Sequence, residues 1–88
     1  MPIISIFFGI VIRINFFDHA PPHLHAAYGD DEALFDLRRG RIIAGRLPRR
    51  ETRYVLEWLV KNRVDLLRNW DLAVAGRPTF RIEGLQDD

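Results

Sequence analysis

Three histidines, His19, His23 and His25, lie within seven residues, and Asp18 directly precedes the first of them. An imidazole titrates near neutral pH and therefore serves as an acid, a base or a metal ligand. His23 and His25 are two residues apart, so on a β-strand both side chains point to the same face. We predict that the segment from Asp18 to His25 is the functional centre of the chain.

Acid–base chemistry is the first function that fits this segment. A strand paired with the histidine strand would place Asp36 opposite His23, where a carboxylate can orient the ring. Arg13 would lie nearby and hold a phosphate, so cleavage of a phosphodiester without a metal is conceivable. The candidate catalytic residues of this hypothesis are His23, His25, His19, Arg13 and Asp36.

Metal binding and recognition are the other two functions. His19, His23, His25 and Asp18 supply the imidazoles and the carboxylate that zinc or another divalent ion accepts. The histidines can instead donate hydrogen bonds to a partner protein or a nucleic acid. A purely structural role also fits, because Asp18 and the two prolines that follow it are typical of a stiff hairpin loop. We expect no cofactor, with zinc as the metal of the alternative hypothesis.

Length and composition indicate one domain spanning residues 1–88, of ordinary composition for a folded protein. The chain has no cysteine, which excludes disulfides and thiolate chemistry and fits a cytoplasmic location. The apolar residues 2–17 are interrupted by Arg13 and Asn15, and they are too few to span a membrane. We therefore expect strands at the N-terminus, and neither a signal peptide nor a membrane partner.

The net charge of +1 hides a basic segment. Nine arginines and lysines lie between Arg38 and Arg63, against two glutamates. A basic band of this kind can contact phosphates, so RNA or DNA is a candidate partner through Arg49, Arg50 and Arg53. A solvated helix surface explains the same charges without any partner.

The periodicity predicts an α+β fold: an antiparallel meander sheet of about five strands, then two C-terminal helices packed on one sheet face. Strands are predicted at 3–8, 10–17, 23–28, 31–38 and 41–46, so that the sheet occupies roughly 3–46. Helical spacing follows at roughly 48–75, with Pro48 in the first turn and a break at Asn62. A short strand or tail is predicted at 79–88, fraying from Gln86 onward.

Strand alternation predicts which residues share a face. With a loop at residues 18–22, Asn15 would lie opposite His25 and Arg13 opposite Ala27. Across the Gly29-Asp30 turn, Leu24 would meet Phe35 and Ala26 would meet Ala33, which places apolar residues on one common face. The opposite face would carry the histidines, rimmed by the aliphatic residues Ile4, Ile6, Val11, Leu34 and Ile43. An open face of this kind suggests a small protein partner or a homodimer.

The segment from Asp18 to Gly29 reads Asp-His-x-Pro-Pro-His-x-His-Ala-x-Tyr-Gly, and it resembles the uncharacterised prokaryotic DUF4160 family. The similarity covers nearly the whole chain, with further matches at Leu47-Pro48-Arg49-Arg50, Val55-Leu56-Glu57-Trp58 and Asn69-Trp70-x-Leu72-Ala73. One departure is Leu24, where an aromatic residue is expected; because it points to the core, the site should remain intact.

The resemblance implies a protein partner rather than a reaction. Members of this family look like small proteins encoded beside another short protein, in the manner of toxin–antitoxin modules. The leading hypothesis is therefore a toxin-side subunit of such a module, with an endoribonuclease as the most natural enzyme. The competing hypothesis is a non-catalytic regulator that binds a metal or a nucleic acid.

Overall fold

A computed structural model describes residues 2–86. It contains five strands followed by two helices, which confirms the predicted α+β fold. The elements are β1 (Ile3–Phe7), β2 (Ile10–Arg13), β3 (His23–Tyr28), β4 (Asp31–Asp36), β5 (Arg41–Gly45), α1 (Arg49–Lys61) and α2 (Arg63–Val74). No helix in residues 2–86 is both long and apolar enough to cross a membrane.

The strands form one antiparallel sheet in the order β1-β2-β3-β4-β5, so each strand pairs with its neighbour in sequence. The β3–β4 register matches the prediction, with Leu24 opposite Phe35 and His23 opposite Asp36. The predicted β2–β3 register is wrong by two residues, because Arg13 lies opposite His25 rather than Ala27. A shift of two preserves the face of every side chain, so the histidines remain on the predicted side.

Two bulges interrupt the pairing and alter the face opposite the helices, here called the outer face: one lies in β1, and the other lies in the β4–β5 pair between Leu34 and Phe35. Between Ile3 and Ser5, β1 contains an extra residue, and Ile4 is fully buried in the core. The expectation that Ile4 lies on the outer face is therefore wrong, because a bulge reverses the alternation locally. Ile6 and Ile43 do remain exposed, as predicted.

The two helices bury their apolar stripes against the inner face of the sheet. Val55, Trp58 and Leu59 of α1 join a single core cluster with the strand residues, and the Trp58 ring lies 5.0 Å from that of Phe7. The predicted break at Asn62 is present: its side-chain amide donates to the Trp58 carbonyl at 2.9 Å. A residue that bonds backwards in this way ends the helix and turns the chain into α2.

The described part of the C-terminal segment, 77–86, forms neither helix nor strand. It is a tail that packs on the core, since the Ile82 amide donates to the Ile4 carbonyl and the Trp58 indole donates to the Glu83 carbonyl. Buried Asn69 holds the tail through two hydrogen bonds with the Phe80 backbone. The expected fraying at Asp87 and Asp88 lies outside the described residues.

Candidate functional site

Residues 18–22, here called the proline loop, connect β2 to β3 and are held at both ends. On one side the Phe17 amide donates to the Ala73 carbonyl at the end of α2, at 2.9 Å. Gly76 lies directly against the Phe17 ring, where a Cβ atom would collide with it. On the other side the Leu37 amide donates to the Pro22 carbonyl at 2.9 Å. The loop is therefore positioned by α2 and by the end of β4.

His23 begins β3 and is buried, with hydrogen-bonding groups at both ring nitrogens. Its Nδ1 lies 2.7 Å from the Pro21 carbonyl, and because a carbonyl only accepts, Nδ1 carries the proton. Its Nε2 lies 3.0 Å from Oδ2 of Asp18. The ring also packs against Trp70 of α2, with the ring centroids 5.1 Å apart. These contacts fix both the position and the orientation of the imidazole.

His25 lies beside His23 on the same face, with the ring centroids 5.3 Å apart. Its Nε2 is 3.7 Å from Oδ2 of Asp18 and 3.1 Å from the side-chain nitrogen of Asn15. Among the described residues, the Asn15 side-chain oxygen is buried without a hydrogen-bond partner. The Nε2 atoms of both histidines thus lie close to the same carboxylate, and the Asn15 amide lies beside His25.

The surroundings of Asp18 favour its ionised state on balance, although burial opposes it. Burial favours the neutral acid, but the His19 amide and the nearby His23 ring outweigh it and hold the pKa of Asp18 below 3.8. The amide contact is a 2.9 Å hydrogen bond from the His19 backbone to Oδ1. Oδ2 is therefore left for the two imidazoles.

Asp18, His23 and His25 together form what we call the His–Asp cluster. One ligand atom from each residue lies within 4.8 Å of the others. In a tetrahedral zinc site, metal–ligand distances of about 2.0–2.2 Å put the donor atoms roughly 3.3–3.6 Å apart. The Asp18 contacts of 3.0 and 3.7 Å bracket that spacing. Two imidazoles and a carboxylate at this spacing are a donor set that fits a divalent metal.

The other three predicted site residues lie around this cluster rather than in it. The His19 ring is 96% exposed and 3.7 Å from Oδ1 of Asp18. Arg13 lies opposite His25 across the β2–β3 pair. Asp36 lies opposite His23, but its carboxylate accepts the amides of Arg38 and Arg39, both at 2.8 Å.

Those amide hydrogen bonds also determine the ionisation of Asp36. The Arg39 amide outweighs the burial of the carboxyl, and with help from the Arg38 amide it holds the pKa of Asp36 below 3.8. The charge of Asp36 is thus directed at the turn that follows β4. The ring of His23 is oriented instead by the Pro21 carbonyl and by Asp18.

The residues predicted to contact RNA or DNA lie at the start of α1: Arg49, Arg50 and Arg53. Arg49 and Arg53 line an open groove whose walls all belong to that helix. Arg50 instead donates to buried Glu51 at 3.1 Å, an ion pair that fixes its guanidinium.

Two contributors to the site could not be identified from residue type. The Pro21 carbonyl is a backbone group, and Trp70 fits the core pattern of α2 equally well. The pair Pro21-Pro22 was the only sequence signal that pointed toward the Pro21 carbonyl. No sequence signal indicates that Trp70 belongs to the site, because its contact with His23 depends on how α2 packs.

Comparison with known proteins identifies a family and no individual relative. No significant match was found among curated proteins or among solved structures. A family model described as a domain of unknown function, DUF4160, matches residues 9–71, which include the whole His–Asp cluster. The chain therefore belongs to the DUF4160 family.

Proposed function

We propose that this protein binds a divalent metal ion and that the His–Asp cluster is its functional centre. The observation that carries the proposal is the convergence of two imidazole nitrogens and one carboxylate within 4.8 Å in a nearly buried position. Their side chains are 8%, 15% and 17% exposed for His23, His25 and Asp18. Burying polar and charged side chains costs free energy. A cation bound by all three side chains offsets that cost.

The surroundings of the cluster match those of known metal-binding histidines. A metal-ligating histidine usually donates its second nitrogen to a carbonyl or a carboxylate, which fixes the tautomer. The Pro21 carbonyl does this for His23 and leaves Nε2 for the metal. Rotation of the Asn15 amide would turn its unsatisfied oxygen toward the cluster, as a fourth donor or as an acceptor for a metal-bound water.

The donor types favour a transition metal over magnesium or calcium. Imidazole suits zinc, iron, nickel and copper, whereas magnesium and calcium prefer oxygen ligands. Three protein donors leave at least one coordination position open, as catalytic zinc sites do. A water bound there would lose a proton near neutral pH and could act as a nucleophile.

Calorimetric titration of the purified, chelator-treated protein with zinc, manganese, nickel and cobalt tests the proposal. We expect one ion per chain, and His23→Ala and His25→Ala should each weaken binding at least about 100-fold. His19→Ala is the matched control: it removes an imidazole from the same loop but leaves the backbone amide that contacts Asp18. The control should bind like the wild type.

Two results would overturn the metal proposal. One is the absence of saturable binding for all four metals. The other is binding that is weakened equally by His19→Ala and by His25→Ala, because a loose surface site would not distinguish an exposed ring from a buried one.

A second candidate function is a toxin-side ribonuclease in a two-protein module. It is supported by the placement of Arg13 opposite His25, which puts a cation for phosphate beside an oriented imidazole. Exposed Ile6 and Ile43 on the outer face support a protein partner or a second copy of this chain there. In this proposal a prokaryotic cell would contain both proteins in its cytoplasm.

Induced expression in bacteria, with the integrity of cellular RNA as the readout, tests the second candidate. The wild type should arrest growth and cleave RNA, and His25→Ala should do neither while remaining folded. Cleavage by purified protein in a chelating buffer separates the two chemistries, since an acid–base enzyme continues and a metal-dependent one stops. Unimpaired growth together with intact RNA would refute this candidate.

A further inference from the structure

We propose that an open pocket between the proline loop and the turn after β4 binds the phosphate of a nucleoside phosphate, either a nucleotide or a single-stranded RNA. The pocket has a volume of about 630 Å³, and both arginines of that turn, Arg38 and Arg39, line it. It is separate from the α1 groove of Arg49 and Arg53, and it takes no residue from the His–Asp cluster.

The turn that bears the two arginines is held rigidly from within. Asp36 accepts the amides of Arg38 and Arg39 on one side-chain oxygen, and its backbone carbonyl accepts the Gly40 amide at 2.9 Å. Gly40 has a φ of +66°, a conformation that glycine adopts without strain. The backbone positions of both guanidinium-bearing residues are therefore determined before any ligand arrives.

A second set of contacts ties the same turn to the rest of the molecule. Arg63, the first residue of α2, donates from Nε to the Leu37 carbonyl at 2.9 Å. The Leu37 amide in turn donates to the Pro22 carbonyl. The turn and the proline loop are thus joined directly, so the two walls of the pocket keep a constant separation.

The pocket has an excess of positive charge. The carboxylate of Asp36 is directed at backbone amides, and within residues 2–86 neither the Arg38 nor the Arg39 guanidinium has a hydrogen-bond or ion-pair partner. Arg41 lies opposite Asp36 across the β4–β5 pair, so a third positive charge lies near the pocket. Two guanidinium groups without protein partners, carried by a backbone that is held in place, can bind the oxygens of a phosphate.

The other residues that line the pocket, apart from Asp36, form an apolar wall, which favours a nucleoside over a bare anion. Pro21, Pro22 and Ile43 line it, and Ile43 is 42% exposed although it is a large aliphatic residue. A pocket of this volume is in the range that accepts a nucleotide-sized ligand. A base or ribose can cover this wall while the arginines hold the phosphate.

Fluorescence anisotropy with a labelled single-stranded RNA oligonucleotide tests the inference. The buffer contains a chelator, so the result does not depend on a metal at the His–Asp cluster. In the double variant Arg38→Gln and Arg39→Gln, the backbone amides that hold the turn remain. We expect binding to be roughly tenfold weaker and the slope of log affinity against log salt to fall by about 1.4, since each single-strand phosphate contact contributes about 0.7.

The matched control removes the same charge from the C-terminal tail with Arg77→Gln and Arg81→Gln, two exposed arginines that do not line the pocket, and it should bind RNA like the wild type. Adenosine monophosphate and inorganic phosphate, added as competitors, distinguish the sources: displacement by the nucleotide alone indicates a mononucleotide site, and displacement by neither indicates an RNA strand.

Three outcomes would overturn the inference. Equal losses in the two double variants would show a diffuse charge effect. No binding at low salt of either the RNA or labelled adenosine monophosphate would show that the pocket does not take a nucleoside phosphate. Displacement of the RNA by a polyglutamate peptide at the same charge concentration would show a site for acidic protein.

Discussion

Metal-induced stabilisation of the fold provides a quantitative test of the His–Asp cluster. A ligand that binds only the native state stabilises it by RT ln(1 + [L]/Kd), which is about 1.4 kcal/mol at ten times Kd. For a domain of this size, each kcal/mol shifts Tm by about 4–8 °C. Zinc at ten times Kd should therefore raise Tm by roughly 6–11 °C.

His25→Ala removes one of the three donors and should nearly abolish that shift. Loss of a donor weakens affinity at least about 100-fold, since even changes to outer-shell partners cost 10–100-fold. The same zinc concentration is then about one tenth of Kd, and the stabilisation falls below about 0.1 kcal/mol. The expected shift for this variant is under about 1 °C.

Differential scanning fluorimetry or calorimetry measures the shift, with each variant compared to its own metal-free Tm so that any packing loss cancels. His19→Ala should retain the full wild-type shift, because its ring is exposed and outside the cluster. A wild type that does not respond to zinc, or a His25→Ala protein that responds as strongly as the wild type, would refute the reasoning.

Three further predictions concern hydrogen bonds that hold the turn after β4 and the C-terminal tail in place. Asp36→Ala should cost roughly 2–4 kcal/mol at pH 7, because two amide hydrogen bonds to a carboxylate are lost. The pKa of Asp36 is lower in the native state than its value of 3.8 in the unfolded chain. The stabilisation by this carboxylate is therefore complete above pH 3.8, and it is lost as the pH falls through the native pKa. Urea denaturation measures the free energy of unfolding of variant and wild type at pH 7 and pH 3. The difference between the two proteins should be smaller at pH 3, and an unchanged difference would contradict the prediction. Asn69→Ala should lower the free energy of unfolding by roughly 2–3 kcal/mol, because both bonds to the Phe80 backbone are lost. Hydrogen exchange of the Phe80 amide should be faster in this variant than in the wild type. Trp58→Phe should cost about 1 kcal/mol through loss of the bond to the Glu83 carbonyl, as chemical denaturation would measure.

Most of the fold could be predicted because it depends on local patterns. Alternation in β3 and β4, together with the two-residue turn at Gly29, predicts the register of that hairpin correctly. Pro48 and Asn62 likewise mark the start of α1 and its end, since both effects involve only neighbouring backbone groups. These signals are short in range and act wherever the segment lies in the molecule.

The β2–β3 pairing and the burial of Ile4 could not be predicted in the same way. The connection between β2 and β3 is long, and hydrophobic alternation is equally satisfied by registers that differ by two residues. A bulge leaves no mark in the periodicity except a misplaced apolar residue, and Ile4 is such a residue.

The candidate site shows the same division. By itself, the sequence determined that His23 and His25 project from one face of a strand, because side chains alternate every two residues. Only the tertiary structure decided that Asp18 reaches both rings while His19 points to solvent. Those outcomes depend on how α2 and the end of β4 hold the proline loop, a balance of distant contacts that no local pattern contains.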